Sequence, residues 1–257
     1  MRLIVLAAGQ GTRLRPLTDD RPKCLVGLAG QPLLDRQIAA ARSVGIDDIV
    51  VVGGYRIDRL ADYPVRLMAN PHYAETNMVR TLFCARAFFG DGFIMSYGDI
   101  CYAPSVLSRT MASDAPIAVA IDRAWRSYWG QRFADPLSDA ETLVIDGAGR
   151  IREIGQKPKR IEDIDGQYIG LVAFRDDGVR ALEEAFEAAE REEASGRFPF
   201  GGTRRLDQLY MTDLLQGLIT RDVRLTAVPI DGGWVEIDSP RDLDIAESLV
   251  AKGRLEV

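Results

Sequence analysis

The chain has 257 residues, 47% of them hydrophobic and 27% charged, with a formal net charge of −6. That size can bury a substantial core and reads as one domain over residues 1–257, with a substrate-side insertion at about 122–174. The acidic balance argues against nucleic acid or an anionic membrane as partner, and no apolar run nears membrane-spanning length.

Leu3-Ile4-Val5-Leu6 reads as a buried first strand, followed by a loop bearing Gly9 and Gly11. A helix opens at Pro32 and closes near Gly45, with Leu33, Leu34, Ile38 and Ala41 as its apolar stripe. Strands follow at 48–53 and 65–68, then a helix from Thr76 with Val79, Leu82 and Phe83 inward. The strands 93–97 and 117–121 complete an alternation of strand and helix. That alternation predicts an α/β fold, Rossmann-like and doubly wound, around a mostly parallel mixed sheet.

From residue 122 the texture changes. Trp125, Tyr128, Trp129 and Phe133 crowd together without clear periodicity. Leu143–Ile145 and Ile151–Ile154 flank Asp146-Gly147-Ala148-Gly149 as a hairpin, the core of a small β insertion. A strand at 168–174, an acidic helix at 176–194, a helix at about 206–219, a strand at 224–228 and a helix from Pro240 close the chain. The glutamates of the acidic helix read as a solvated face, and the charged strip Arg191–Arg197 as a mobile loop.

Chemistry concentrates in residues 6–23, Leu-Ala-Ala-Gly-Gln-Gly-Thr-Arg-Leu-Arg-Pro-Leu-Thr-Asp-Asp-Arg-Pro-Lys. Glycines let the backbone turn sharply and aim N–H groups at an anion, and Arg13, Arg15 and Lys23 add positive charge. A Walker loop is excluded, because Gly11 is followed by Thr12-Arg13 rather than Lys-Ser or Lys-Thr. The dinucleotide fingerprint is excluded by Leu14, where its third glycine belongs. The stretch instead resembles, at nearly every position, the opening motif of the nucleotidyltransferases that join a nucleoside triphosphate to a phosphorylated small molecule.

The resemblance implies a nucleotide cradle made of Leu6, Ala7, Ala8, Gly9, Gly11, Thr12, Arg13 and Lys23, with Tyr97 and Gly98 at the next strand end. Arg13, Lys23 and Asp99 are the catalytic candidates, and the resemblance makes Asp99 a ligand of Mg²⁺. Ligands gather at the carboxyl ends of strands in such a sheet, which is where Asp99 falls. In Trp234-Val235-Glu236-Ile237-Asp238 an extended backbone puts Glu236 and Asp238 on one face, completing an oxygen cage for a hard cation. Asp238 or Ser239 also suits the cap of the helix at Pro240.

Gln156-Lys157-Pro158 replaces the Glu-Lys-Pro usual in sugar-activating members, and Glu236-Ile237-Asp238-Ser239-Pro240 resembles the phosphocholine and phosphonate cytidylyltransferases. Glu75-Thr76-Asn77-Met78 is similar to the helix start that lies near cytosine in that branch, which brings in Asn77. The resemblance therefore implies CTP as donor and a small phosphorylated alcohol or phosphonate, such as phosphocholine or 2-aminoethylphosphonate, as acceptor. Lys157 would meet the acceptor phosphate, and Tyr168, Trp129 and Trp234 could wall a quaternary ammonium, with plain packing the competing role for the tryptophans. Uridylyl or thymidylyl transfer to a sugar 1-phosphate, and a non-catalytic nucleotide sensor, are the alternatives.

Cys24, Cys84 and Cys101 are odd in number and lack Cys-x-x-Cys spacing, as expected of reduced thiols in a cytoplasmic protein. His72 is the sole histidine, in a turn-like Asn-Pro-His-Tyr stretch, so no two-histidine mechanism is available. The oligomeric state stays open, a homodimer included.

Overall fold

Strand β1 (Arg2–Ala7) lies inside a seven-stranded sheet in a computed structural model that describes residues 1–256. The other strands are β2 (Gly27–Leu28), β3 (Gln31–Pro32), β4 (Ile49–Gly53), β5 (Arg66–Ala69), β6 (Gly92–Tyr97), β7 (Ile100–Tyr102), β8 (Ile117–Asp122), β9 (Leu143–Ile145), β10 (Ile151–Ile154), β11 (Gln167–Arg175), β12 (Thr226–Ile230) and β13 (Trp234–Glu236). The helices are α1 (Leu33–Ser43), α2 (Met78–Phe83), α3 (Pro104–Met111), α4 (Trp125–Arg132), α5 (Asp177–Ala194), α6 (Met211–Thr220) and α7 (Pro240–Ala251).

The main sheet runs β12-β8-β11-β6-β1-β4-β5. All its pairings are parallel except those of β11, which is antiparallel to both β6 and β8. The expected mostly parallel mixed sheet is therefore present. Residues alternate between faces along each strand. Leu3 and Val5 enter a core shared with α1 and α4, while Ile4 and Leu6 enter another shared with α2, α5 and α6. Strands buried on both faces need continuous apolar runs, and Ile49–Val52 and Ile117–Ile121 supply them.

Residues 123–166 leave the sheet after β8 and carry α4 and the β9–β10 hairpin. The return strand β11 belongs to the main sheet, so the excursion stops short of residue 174. Away from the candidate site, three further segments differ from the sequence reading. Residues 206–219 are not one helix: a 3₁₀ turn at Leu206–Gln208 precedes α6, with Leu209 and Tyr210 extended between them. Asp213 Oδ2 accepts a bond from the Tyr210 amide at 2.8 Å and starts the helix there. The strip Arg191–Arg197 is not a free loop, because α5 continues through Ala194. Glu192 accepts from the Phe200 amide and pairs with Arg221, and Glu193 accepts from the Leu206 amide. Of the aromatic run, Trp125, Tyr128 and Trp129 lie on helix α4, and Phe133 follows it in extended backbone. No helix among the described residues is long and apolar enough to cross a membrane.

Candidate active site

The loop after β1 turns at Gly11, whose φ of 62° is left-handed, and enters a 3₁₀ turn at Thr12–Leu14. A Cβ at Gly11 would come within 3.1 Å of both Lys23 Cβ and Thr18 Cγ2, so the turn packs directly on the stem of Lys23. Thr18 Oγ1 donates to the Gly11 carbonyl at 2.8 Å and holds the loop closed. Lys23 starts a further 3₁₀ turn after Pro22.

Beside it, β6 ends at Tyr97, and the Gly98 amide donates to the Leu6 carbonyl at 2.9 Å. A Cβ at Gly98 would lie 2.7 Å from that same oxygen, so only glycine allows the close approach. Asp99 follows, and β7 then pairs antiparallel with β13, Glu236 opposite Ile100. The Ile237 amide donates to the Asp99 carbonyl at 2.9 Å. A strand pair formed between residues far apart in sequence thus delivers Glu236 and Asp238 to Asp99.

The Lys23 ammonium donates to Asp99 Oδ2 at 2.6 Å and also to Asp238 Oδ1; Arg13 reaches Asp238 Oδ2. One carboxylate oxygen from each of Asp99, Glu236 and Asp238 lies within 4.8 Å of the others. Asp99 Oδ1 is buried with no hydrogen-bond partner. Burial pushes the Glu236 carboxyl up to about 7, with Arg132 opposing and Asp238 and Asp99 adding to the rise. Burial works the same way on Asp238, but the Lys23 and Arg13 charges override it and hold that carboxyl below its ordinary value. Lys23 is held well above its ordinary value, since Asp99, Asp238 and Glu236 outweigh its burial.

A cleft of about 370 Å³ opens over this cluster. Every residue expected in the nucleotide cradle lines it: Leu6, Ala7, Ala8, Gly9, Gly11, Thr12, Arg13, Lys23, Asn77, Tyr97 and Gly98, with Asp99, Glu236 and Asp238 at its floor. Asn77 caps α2 by accepting from the Met78 amide at 3.0 Å, which moves the expected helix start from Thr76 to Met78.

A second cavity of about 230 Å³ shares Tyr97 and Glu236 with the first and holds Tyr168, Trp129 and Trp234. Both tryptophans are largely committed to packing, at 5% and 4% exposure. Trp129 Nε1 donates to Asp139 and Trp234 Nε1 to Asp122, each at 3.0 Å. Lys157 is not brought to this group. It lines a third cavity of about 760 Å³, and its ammonium donates to the carbonyls of Leu137 and Ser138.

Residues 3–195 match the model of the MobA-like NTP transferase domain family. The chain belongs to that family. As a nucleotidyltransferase it is 37% identical to the CTP:phosphoglutamine cytidylyltransferase of Campylobacter jejuni, over 95% of this chain and 98% of that protein. It is 38% identical to the choline-phosphate cytidylyltransferase of Streptococcus pneumoniae over 59% of this chain and 67% of that one. Among solved structures, the CTP:phosphocholine cytidylyltransferase of S. pneumoniae superposes with a TM-score of 0.73 at 21% identity, covering 97% and 98% of the two chains. The inositol-1-phosphate CTP transferase of T. maritima gives 0.72 at 19%, covering 100% of this chain and 98% of that one. These last two likenesses show the nucleotidyltransferase fold.

Sequence reasoning passed over Asp139 and Glu141 in the second cavity, Tyr73 in the first, and Arg132 beside Glu236 with its second partner Asp242. Ser239-x-x-Asp242 is a helix-cap pattern that marks Asp242; nothing local marks the others.

Proposed function

We propose that this nucleotidyltransferase moves CMP from CTP to a small phosphorylated or phosphonate acceptor carrying a positively charged nitrogen, with release of pyrophosphate. The observation that carries the reading is the second cavity. It opens beside the Lys23–Asp99–Asp238 cluster, presents Asp139, Glu141 and aromatic rings, and is lined by no Lys, Arg or His among the described residues. Carboxylates and aromatic faces attract an ammonium. Phosphocholine, 2-aminoethylphosphonate and phosphoglutamine all bear or can present such a nitrogen. The two cytidylyltransferases at 37% and 38% identity support CTP as donor.

In this reading the amides of Ala8 to Thr12 and the Arg13 guanidinium hold the β- and γ-phosphates, and Lys23 sits at the α-phosphate. The acceptor dianion attacks the α-phosphorus in line, and pyrophosphate departs on the opposite side. That nucleophile is ionised near neutral pH, so no side chain has to remove a proton. What remains is alignment and charge neutralisation, which a preorganised cationic cradle provides. Asp99, Glu236 and Asp238 suit Mg²⁺, because their donors are hard oxygens and Asp99 Oδ1 has no partner from the protein. When bound there, Mg²⁺ would neutralise phosphate oxygens. Lys23, now occupied by Asp99 and Asp238, would then be released toward the nucleotide.

Pyrophosphate release from CTP, UTP, GTP, ATP and dTTP, each offered phosphocholine, 2-aminoethylphosphonate, phosphoglutamine and glucose 1-phosphate, tests both halves. Turnover confined to CTP with a nitrogen-bearing acceptor is expected. Turnover of UTP or dTTP with glucose 1-phosphate would overturn it.

A further inference from the structure

Helix α4 comes from the excursion between β8 and β11, yet two of its residues grip a strand from near the far end of the chain. Tyr128 Oη donates to the Glu236 carbonyl at 3.1 Å and accepts from the Glu236 amide at 2.9 Å, taking both backbone groups of one residue. One turn later, Arg132 Nη1 lies 2.6 Å from Glu236 Oε2, and its Nε donates to Asp242 Oδ1 at 2.8 Å. Asp242 Oδ2 in turn accepts from the Asp238 amide at 3.2 Å and from Ser239 Oγ at 2.8 Å. The guanidinium has 2% side-chain exposure and lies 5.3 Å from the Tyr128 ring, 5.3 Å from Trp129 and 5.1 Å from Phe133.

A buried arginine shared by two carboxylates contributes little net stability, since its desolvation offsets most of the attraction. Its planar fork, however, fixes the direction of whatever it binds. Here its Nε is hydrogen-bonded to Asp242, while Nη1 meets Glu236 as an ion pair without hydrogen-bond alignment, so charge and burial hold the Glu236 carboxylate beside it. We propose that Arg132 and Tyr128 are positioning residues: they hold Glu236, and through Asp242 the Asp238 backbone, in the geometry that lets the three carboxylates share one divalent cation. The rings around the guanidinium shield it from water and stop it from swinging to solvent. Trp129, between the two gripping residues, also forms the wall of the acceptor cavity, so one helix turn serves both sites.

The inference rests on the reading of Asp99, Glu236 and Asp238 as a cation site, and the test separates the two. Mn²⁺ binding to the purified full chain is titrated by the EPR signal of free Mn²⁺, without nucleotide and with CTP. D99N should abolish binding; if it does not, the cation-site reading fails. Y128F and R132K should each weaken Mn²⁺ binding by about tenfold or more, the range for residues that orient metal ligands. Y128F keeps the ring and the fold, so it carries the test if R132K folds poorly. E236Q should show a similar loss, and R132K should cost less in the E236Q background than in the unmodified protein, because Arg132 acts partly through Glu236 and partly through Asp242. A merely structural Arg132 would instead add its full loss to that of E236Q. Mn²⁺ affinity within twofold of the unmodified protein in Y128F and R132K, with D99N inactive in binding, would overturn the inference and leave the cation site standing.

Discussion

Lys23 Nζ lies 2.6 Å from Asp99 Oδ2, which joins the loop after β1 to the end of β6 through one ammonium. The same ammonium meets Asp238, so one positive charge bridges carboxylates from two separate strand ends, with Arg13 on the far oxygen of Asp238. A group with that many acidic neighbours stays protonated across the working pH range, as its raised pKa indicates. Lys23→Ala should therefore remove a permanent charge from the α-phosphate. Loss of one such electrostatic contact costs on the order of 10²–10³-fold in turnover. Steady-state pyrophosphate release checks this, with far-UV circular dichroism to confirm the fold; turnover within fivefold of the unmodified enzyme would remove Lys23 from the chemistry.

Without Lys23, Asp99, Glu236 and Asp238 also repel one another with less compensation. Divalent cations should then raise the melting temperature of Lys23→Ala by more than they raise that of the unmodified protein. The opposite holds for Asp99→Asn, which removes the charge of the carboxylate that carries the unpartnered Oδ1: it should melt at the same temperature with and without Mg²⁺. Differential scanning fluorimetry over a Mg²⁺ series reads both, and a Mg²⁺ shift retained by Asp99→Asn would contradict the site.

Much of this cluster was legible because its residues are local in sequence. Leu6–Lys23 is one continuous stretch, and Asp99 directly follows a readable strand. Glu236 and Asp238 were legible as a pair on extended backbone, although β13 itself ends at Glu236 and it is the β7–β13 pairing that brings them in. Arg132 was hidden for a physical reason. Trp125, Tyr128, Trp129 and Arg132 form a buried stripe at helical spacing, but its last member is a cation where an apolar residue is expected. Only the distant carboxylates of Glu236 and Asp242 make that position tolerable. The helix expected at 206–219 failed similarly, because Leu206 and Leu209 are buried along with the stripe of α6 while the backbone between them is extended. Lys157 was placed by its motif alone, and its neighbours Leu137 and Ser138 draw it into a different cavity.

Asp48, just before β4, ties the sheet edge together. Its Oδ2 accepts from Arg2 Nε at 2.8 Å and its Oδ1 from Arg66 Nε at 3.2 Å. The Arg2 hydrogen bond, against a smaller opposing effect of burial and with help from Arg66, holds the carboxyl below its ordinary 3.8. A carboxyl depressed in the folded state contributes stability that is present above the unfolded value and lost as pH falls through the folded one. Because the side chain is about a third exposed, solvent screening limits the contribution to about 0.5–1 kcal/mol. Asp48→Asn should cost that much in urea denaturation at pH 7, and the difference from the unmodified protein should shrink steadily below pH 3.8. A difference independent of pH would mean that packing, not charge, explains the effect.

Glu141 borders both the second and the third cavity and does not line the first. If it faces the nitrogen of the acceptor, replacing its charge must act on the acceptor alone. Glu141→Gln keeps the shape and the hydrogen-bonding capacity but removes the attraction, and a partly desolvated charge pair of this kind is worth about 1.5–3 kcal/mol. The KM for a quaternary or primary ammonium acceptor should rise by roughly ten- to a hundredfold. The KM for CTP should stay the same, since Glu141 does not line the nucleotide cleft. An acceptor of the same length lacking the nitrogen, such as an uncharged alkylphosphonate, supplies the decisive comparison. It should bind the unmodified enzyme poorly and Glu141→Gln no worse. An equal rise in KM for the charged and uncharged acceptors would show that Glu141 shapes the cavity rather than reading charge, and the nitrogen would then have to be recognised by the rings of Tyr168 and Trp129 instead.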